Sequence, residues 1–138
     1  MDISQQLRSN GYKVTPQRVA IYKALYNYVK HPSAEMIHSY LHEKYPSISL
    51  ATVYKTMEIF GKIGLVTIID VGAGSCLYDC VTTPHPHVYC LECGKVDDIL
   101  GIDLDELVNK AESISKYQIK QTQIVFQGIC DKCLEKKN

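Results

Sequence analysis

Two pairs of cysteines share the spacing C-x-x-C, Cys90 with Cys93 and Cys130 with Cys133. Each pair brings two sulfurs to one side of a tight turn, and two such turns supply the four thiolates of a tetrahedral zinc ion. The 36 residues between Cys93 and Cys130 exceed the usual zinc-ribbon spacing, so the pairs must meet through folding of the intervening chain. A site closed by four sulfurs has no open position for catalysis. The spacing therefore predicts structural zinc, in preference to a redox dithiol or ordinary thiols.

Histidines and aspartates form a second group that could bind a metal. In an extended chain His85 and His87 project from the same face. Asp79 stands six residues before His85, Asp98 eleven residues after His87, and His31 at the end of a predicted helix. Imidazoles and carboxylates without a thiolate suit Fe(II) or Mn(II) better than a soft-ligand zinc site. By spacing alone, a pair of exposed linker histidines is an equally good interpretation.

Two further pairs of residues favour a plainer interpretation. His38 and His42 share one helix face but have no third ligand nearby, so we expect solvated surface histidines. Cys76 and Cys80 flank Asp79, and two packed thiols are preferred to metal ligands or redox sensors.

The first half of the chain is predicted to form helices. Ile3 and Leu7, with a stop at Asn10-Gly11, outline a short one, and Thr15, Ser33 and Ser49 are placed to cap three more. The second of the four helices is predicted to run until residue 31. The last carries a helical apolar stripe, and Gly64 is suited to close it. The stripe consists of Leu50, Val53, Met57 and Phe60.

A change of period follows the last of these helices. Residues 65–70 and 76–80 are typical of strands, and the Gly-rich segment 71–75 between them indicates a hairpin. Helices followed by such a hairpin make a winged helix-turn-helix, in which the last helix enters a DNA major groove. We therefore assign 1–80 as a DNA-binding domain and 81–84, with its proline, as a hinge.

The remaining residues, 85–138, mix strands with one helix, which makes the chain α+β. Strands are predicted at 87–91, 95–99, 117–120 and 123–127, and a helix at about 103–115. About 55 residues bury a marginal core, so we expect a metal and a partner subunit to stabilise this unit.

Charge is distributed unevenly, although fifteen Lys and Arg balance fifteen Asp and Glu over the 138 residues. Residues 8–62 hold eight basic and three acidic side chains, a balance of +5, and residues 81–138 hold seven and nine, a balance of −2. A basic first half is typical of a protein that binds a polyanion. No apolar run reaches the roughly 18 residues that span a bilayer, and residues 1–6 lack a secretory pattern. We expect a cytoplasmic protein with no membrane partner.

DNA contacts are predicted on two helices. The face opposite the apolar stripe of the last DNA-unit helix presents Tyr54 and Lys55 to the groove, where Tyr packs on a thymine methyl or bonds a base edge. The start of the second helix would grip phosphates through side chains and backbone N–H groups. The full predicted set is Lys13, Thr15, Gln17, Arg18, Ala51, Thr52, Tyr54 and Lys55.

Five segments together resemble the ferric uptake regulator (Fur) family over essentially the whole chain. They are Val14-Thr15-Pro16-Gln17-Arg18, His31-Pro32-Ser33-Ala34-Glu35, Ser49-Leu50-Ala51-Thr52-Val53-Tyr54-Lys55, His85-Pro86-His87 with Cys90-x-x-Cys93-Gly94-Lys95, and Gly128-Ile129-Cys130-x-x-Cys133. The resemblance implies a homodimer that binds double-stranded operator DNA, with 85–138 as the dimerisation domain, a structural zinc and a regulatory metal at the hinge.

Within that family the chain is most similar to the peroxide-sensing PerR branch. The resemblance places the regulatory Fe(II) or Mn(II) on His31, Asp79, His85, His87 and Asp98, where iron-responsive members tend to have Glu at the two Asp positions. It implies a repressor that peroxide inactivates through Fe(II)-catalysed oxidation of His31 or His85. The alternatives are an iron- or manganese-responsive repressor without peroxide sensing, and a metal-dependent enzyme, against which the winged-helix pattern stands.

Overall fold

The chain divides into two units, residues 1–82 and 83–138. The computed structural model describes residues 2–27, 31–72, 76–80 and 83–136. The last three residues of the predicted hairpin tip, 73–75, and two residues of the predicted hinge, 81 and 82, lie outside the described residues. So do residues 28–30, over which the second helix was predicted to continue.

The first unit consists of four helices and a hairpin. The helices are α1 (Ile3–Ser9), α2 (Pro16–Asn27), α3 (Ala34–His42) and α4 (Leu50–Lys62), and the strands are β1 (Thr67–Asp70) and β2 (Cys76–Asp79). The strands pair antiparallel, with Thr67 opposite Asp79. This is the predicted winged-helix order of elements.

Helix boundaries in this unit follow from capping side chains. Ser33 accepts a hydrogen bond from the backbone N–H of Met36 at the start of α3, and Ser49 accepts one from Thr52 at the start of α4. Thr15 accepts one from Arg18 before α2. Gly64 follows α4 at φ +81°, a left-handed conformation in which a side chain would be strained. The cap residues read from the sequence therefore set these boundaries.

The core of the first unit is built around α4. Val53, Met57 and Phe60 are fully buried against Ile21 and Leu25 of α2 and other apolar side chains. Leu50, the first residue of the predicted stripe, is only partly buried. Burial of this stripe fixes which face of α4 remains exposed.

The second unit contains a small sheet and two helices. Its elements are β3 (His87–Cys90), β4 (Val96–Asp98), α5 (Leu104–Ser115), β5 (Val125–Gly128) and α6 (Asp131–Lys136). The sheet has the order β4-β3-β5, in which β3 pairs antiparallel with β4 and parallel with β5. Among the described residues, no helix has the length and apolar character needed to cross a membrane.

Three expectations for secondary structure need correction. The strand predicted at 117–120 is absent, because no described strand of the chain pairs with that segment. The last strand begins at Val125 rather than at residue 123, and α6 was not predicted. A helix of six residues that includes Cys133 is too short to leave an apolar periodicity in the sequence.

The cap of α4 provides a test of this description. Replacing Ser49→Ala removes the acceptor for the N–H of Thr52, so the free energy of unfolding should fall by about 1 kcal/mol in chemical denaturation. Ser39→Ala, the same substitution at an exposed position inside α3, is the control and should not destabilise the protein. Equal stability of the Ser49→Ala variant and the parent would contradict the cap assignment.

Candidate metal centres and DNA-binding surface

Four cysteines of the second unit converge on one point. The ligand atoms of Cys90, Cys93, Cys130 and Cys133 all lie within 4.8 Å of one another. Sγ of Cys90 is 3.8 Å from Sγ of Cys133, and Sγ of Cys93 is 3.9 Å from Sγ of Cys130. Zinc–sulfur bonds of about 2.3 Å in a tetrahedron give a sulfur–sulfur edge of roughly 3.8 Å. These distances between the sulfurs therefore fit a tetrahedral metal ion and are far longer than a disulfide bond.

Pairing between β3 and β5 explains how two distant C-x-x-C segments meet. Cys90 lies opposite Gly128 in the parallel ladder, and the N–H of Leu91 donates to the carbonyl of Gly128. Two residues further on, the N–H of Cys130 donates to Sγ of Cys90, 3.4 Å away. On the other side, the N–H of Gly94 donates to the carbonyl of Cys90 and closes the first turn. The 36-residue gap is thus crossed by strand register.

The shifted pKa values of the four-cysteine cluster favour binding of a cation. Hydrogen bonds from the backbone N–H groups of Cys93 and Cys130 lower the pKa of Cys90 to about 6. Hydrogen bonds with the neighbouring sulfurs, first that of Cys130, raise the pKa of Cys133 to about 12. The sulfurs of the cluster therefore share protons that a metal ion must displace. Binding releases protons, and affinity for the metal decreases as the pH falls.

Three of the predicted regulatory ligands meet in the second unit. Nε2 of His85 is 2.8 Å from Oδ1 of Asp98, and Nε2 of His87 is 3.1 Å from the same oxygen. The two imidazole rings lie 4.5 Å apart, as their alternation along an extended segment predicts. Antiparallel pairing places His87 opposite Asp98, and Nδ1 of His85 is 2.7 Å from the carbonyl oxygen of Thr83. The fold thus brings two imidazoles and a carboxylate together.

The other two predicted ligands form a pair in the first unit. Nε2 of His31 is 3.4 Å from Oδ2 of Asp79, and both side chains are about 95% buried (5% and 6% exposed). The N–H of Tyr78 donates to the carbonyl of Pro32, which ties β2 to the segment that carries His31. A buried carboxylate beside an imidazole is a costly arrangement unless a cation or proton balances its charge.

The exposed face of α4 carries the predicted groove contacts. Ala51, Tyr54 and Lys55 are exposed, whereas Thr52 is half-buried. The Thr52 hydroxyl lies 2.9 Å from that of Ser49, so Thr52 belongs to the cap of the helix. Rigid attachment of α4 to the core leaves a polar and basic strip on the surface, which is the arrangement a recognition helix requires.

The predicted phosphate contacts surround the start of α2. Lys13 and Gln17 are exposed, and Arg18 is half-buried. The Arg18 guanidinium donates to the carbonyl of Lys13, 2.6 Å away, and lies 6.0 Å from the centre of the Tyr12 ring. Arg18 is thus held in place while Lys13 extends into solvent.

One contact on this surface was not foreseen. The Tyr54 hydroxyl donates a hydrogen bond to the carboxylate of Glu35, an exposed residue in the first turn of α3. This bond is the largest cause of a lowered pKa at Glu35, and it raises the pKa of Tyr54. The two residues are nineteen positions apart, so only the packing of α3 on α4 reveals the contact.

The two pairs of residues for which the sequence favoured a plainer interpretation lie on α3 and on or next to β2. The rings of His38 and His42 are 5.7 Å apart on α3, and His42 is exposed. Cys80 packs against the core of the first unit, where burial raises the pKa of its thiol to about 11. Cys76 is half-buried and lies opposite Asp70 in the hairpin.

Comparison with known proteins identifies close counterparts of this fold and sequence. The model of the Ferric uptake regulator family matches residues 9–127. The transcriptional regulator PerR of Clostridium acetobutylicum is 42% identical, with 98% of each chain covered. The ferric uptake regulation protein of Bacillus subtilis is 39% identical, covering 95% of this chain and 91% of the other. The crystal structure of the Campylobacter jejuni peroxide stress regulator is similar with a TM-score of 0.71 and 32% identity, covering 96% and 100%.

The four-cysteine cluster yields a prediction about metal content. Native mass spectrometry should find one tightly held metal ion in the parent, and Cys133→Ser should lose it, because one of four sulfur ligands is replaced by a poor one. Unfolding of the second unit should then occur at lower temperature. Cys76→Ser is the matched control, since Cys76 is not a member of the cluster, and should retain the metal. Retention of the metal by Cys133→Ser at the parent's affinity would rule out the assignment.

Proposed function

The chain belongs to the ferric uptake regulator family, and on that premise we propose that it is a metal-dependent repressor that hydrogen peroxide inactivates. Members of this family are transcriptional regulators, which excludes the alternative of a metal-dependent enzyme. The single observation that carries the proposal is the convergence of His85, His87 and Asp98, with nitrogen and oxygen donors and no thiolate. Such donors suit Fe(II) and Mn(II).

The structural metal in this proposal is zinc. Cys90, Cys93, Cys130 and Cys133 hold it with no position left for a substrate, so its role is to join the chain terminus to β3. The described residues of the second unit include few buried apolar side chains, among them Val96 and Leu104. A zinc ion offsets that shortage.

The regulatory metal would be held by His31, Asp79, His85, His87 and Asp98. The side chains of His31 and Asp79 come from the first unit, and the other three come from the second. We propose that one ion joins both groups and thereby fixes the two units for operator binding. A dimer must present two recognition helices about one helical turn, roughly 34 Å, apart or at a related spacing, so fixing the units raises the affinity for DNA.

Fe(II) held by these five ligands would supply the redox chemistry that activates hydrogen peroxide, without net consumption of the iron. The net reaction would transfer one peroxide oxygen to a ring carbon of His31 or His85 and release the other as water, so the histidine would provide the two electrons that reduce the peroxide. The oxidised ring no longer offers the same nitrogen lone pair, and the metal is lost. The side chains of His31 and His85 are 5% and 9% exposed, so the oxidation would be confined to these buried ligands.

A homodimer is the assembly that the second unit supports. Large apolar side chains are exposed on it, a feature typical of a surface that another subunit covers. They include Leu100, Ile114 and Tyr117, which are at least 75% exposed.

A second candidate is a repressor that responds to iron or manganese without peroxide chemistry. The identity of 39% to a ferric uptake regulation protein favours it. Both candidates use the same ligands and differ in whether a histidine is oxidised.

The regulatory ligands can be tested through DNA binding. His31→Ala and Asp98→Ala should each abolish the metal-dependent gain in affinity, which for coupled binding sites is typically about 5- to 150-fold. The probe is a duplex enriched from a randomised library by the Mn(II)-loaded parent, and affinity is measured by fluorescence anisotropy. His38→Ala is the control because His38 is outside both clusters. Metal-dependent binding that persists in either variant, with zinc content unchanged, would refute the ligand assignment.

Peroxide sensing is tested by mass spectrometry of the iron-loaded protein after a mild dose of hydrogen peroxide. We expect one added oxygen on His31 or His85, and none when Mn(II) replaces Fe(II). Asp79→Glu with Asp98→Glu should reduce this oxidation more than it reduces DNA binding, because the added methylenes move the carboxylates. Unmodified histidines in a protein that still binds DNA with Fe(II) would favour the second candidate.

A further inference from the structure

Glu35 occupies a position that DNA binding makes unfavourable. It is an exposed acidic residue whose carboxylate touches Tyr54, a residue of the proposed groove-reading face of α4. A carboxylate near a duplex is repelled by the phosphates. Its placement in the first turn of α3 stabilises that helix through the helix dipole, but any position in that turn would do so. The contact with Tyr54 needs a separate explanation.

The hydrogen bond to Glu35 fixes the direction of the Tyr54 hydroxyl proton. An ionised carboxylate has no proton to give, so in this pair the hydroxyl is the donor and Glu35 the acceptor. Glu35 is ionised at neutral pH like an ordinary glutamate, and the bond from Tyr54 lowers its pKa further. With its one proton directed at Glu35, the Tyr54 oxygen offers only lone pairs to other groups.

An acceptor in the major groove distinguishes bases. Adenine N6 and cytosine N4 are the groups that donate there, whereas guanine O6 and N7 and thymine O4 only accept. Tyr54 is 44% exposed, so part of its side chain remains open to a base beside the Glu35 contact. A free tyrosine hydroxyl can rotate and serve either class of base, but one held by Glu35 serves only the donors.

We propose that Glu35 is a positioning residue for DNA recognition, which holds the Tyr54 hydroxyl so that Tyr54 selects adenine or cytosine over guanine or thymine on the strand it faces. This rests on the proposed binding of DNA by α4. Glu35 lies outside α4, and in this proposal it determines which bases Tyr54 of α4 selects.

Selection from a randomised duplex library, with the Mn(II)-loaded full-length protein, tests the proposal. Parent, Glu35→Ala, Tyr54→Phe and the double variant are compared, followed by affinity measurements on duplexes that differ at single positions. In the parent we expect one position in each half-site to prefer adenine or cytosine. Glu35→Ala should lose about tenfold in discrimination at that position, within the range that one mismatched base pair costs. Tyr54→Phe should affect the same position, and the double variant no more than either alone.

Two controls separate positioning from charge and from folding. Glu43→Ala removes the same charge after the other end of α3 and should preserve the consensus sequence. Glu35→Gln retains an oxygen acceptor for the Tyr54 hydroxyl and should preserve most of the discrimination. A role of Glu35 limited to stabilising α3 would lower the melting temperature of Glu35→Ala without changing base preference, and that result would overturn the proposal.

Other outcomes are equally decisive. If the effects of Glu35→Ala and Tyr54→Phe fall on different positions or multiply in the double variant, the coupling is absent and the proposal is wrong. If the parent enriches a sequence but Glu35→Ala enriches the same one with equal selectivity, this inference fails while the proposed function stands. If the parent enriches no sequence, both fail.

Discussion

The register of β3 is the constraint on which both candidate metal centres depend. This strand of four residues carries His87 at one end and Cys90 at the other, about 10 Å apart at 3.3 Å per residue. Its antiparallel partner places Asp98 opposite His87, and its parallel partner places Gly128 opposite Cys90. A shift by one residue would turn both side chains to the other face of the sheet. Four sulfurs bound to zinc would prevent that shift and so preserve the geometry of the histidines.

In the second unit, bound metal would provide stabilisation that a hydrophobic core usually provides. Its described residues bury few large apolar side chains, while Leu100, Ile114 and Tyr117 remain in solvent. A unit of this size gains too little from hydrophobic burial to offset the loss of chain entropy. In the proposed function, zinc and a partner subunit would supply what is missing, so the structural metal and the dimer would be coupled to the folding of the domain that holds three of the proposed regulatory ligands.

The sequence was informative where a local signal determines the structure. Thr15, Ser33 and Ser49 indicated helix starts because a cap acts within three residues, and C-x-x-C indicated the cysteine cluster because its geometry is local. The strand at 117–120 was wrong because a strand exists only with a partner, which periodicity does not reveal. The contact between Glu35 and Tyr54 was missed for a similar reason: it depends on how two helices pack. Alternation along the chain indicated that His85 and His87 share a face, whereas the approach of Asp98 to both depends on the pairing of β3 with β4.

The packing of α4 limits where regulation can act. Val53, Met57 and Phe60 are fully buried, and the cap at Ser49 fixes the start of the helix, so sliding α4 within its unit would break close-packed contacts. The reading face, with Tyr54 held by Glu35, is therefore preorganised by contacts within the first unit. A metal signal that changes affinity for DNA then has to act on the placement of whole units rather than on the recognition helix itself. Ligands drawn from both units, as proposed for His31 and Asp79 with His85, His87 and Asp98, are the arrangement that such a switch requires.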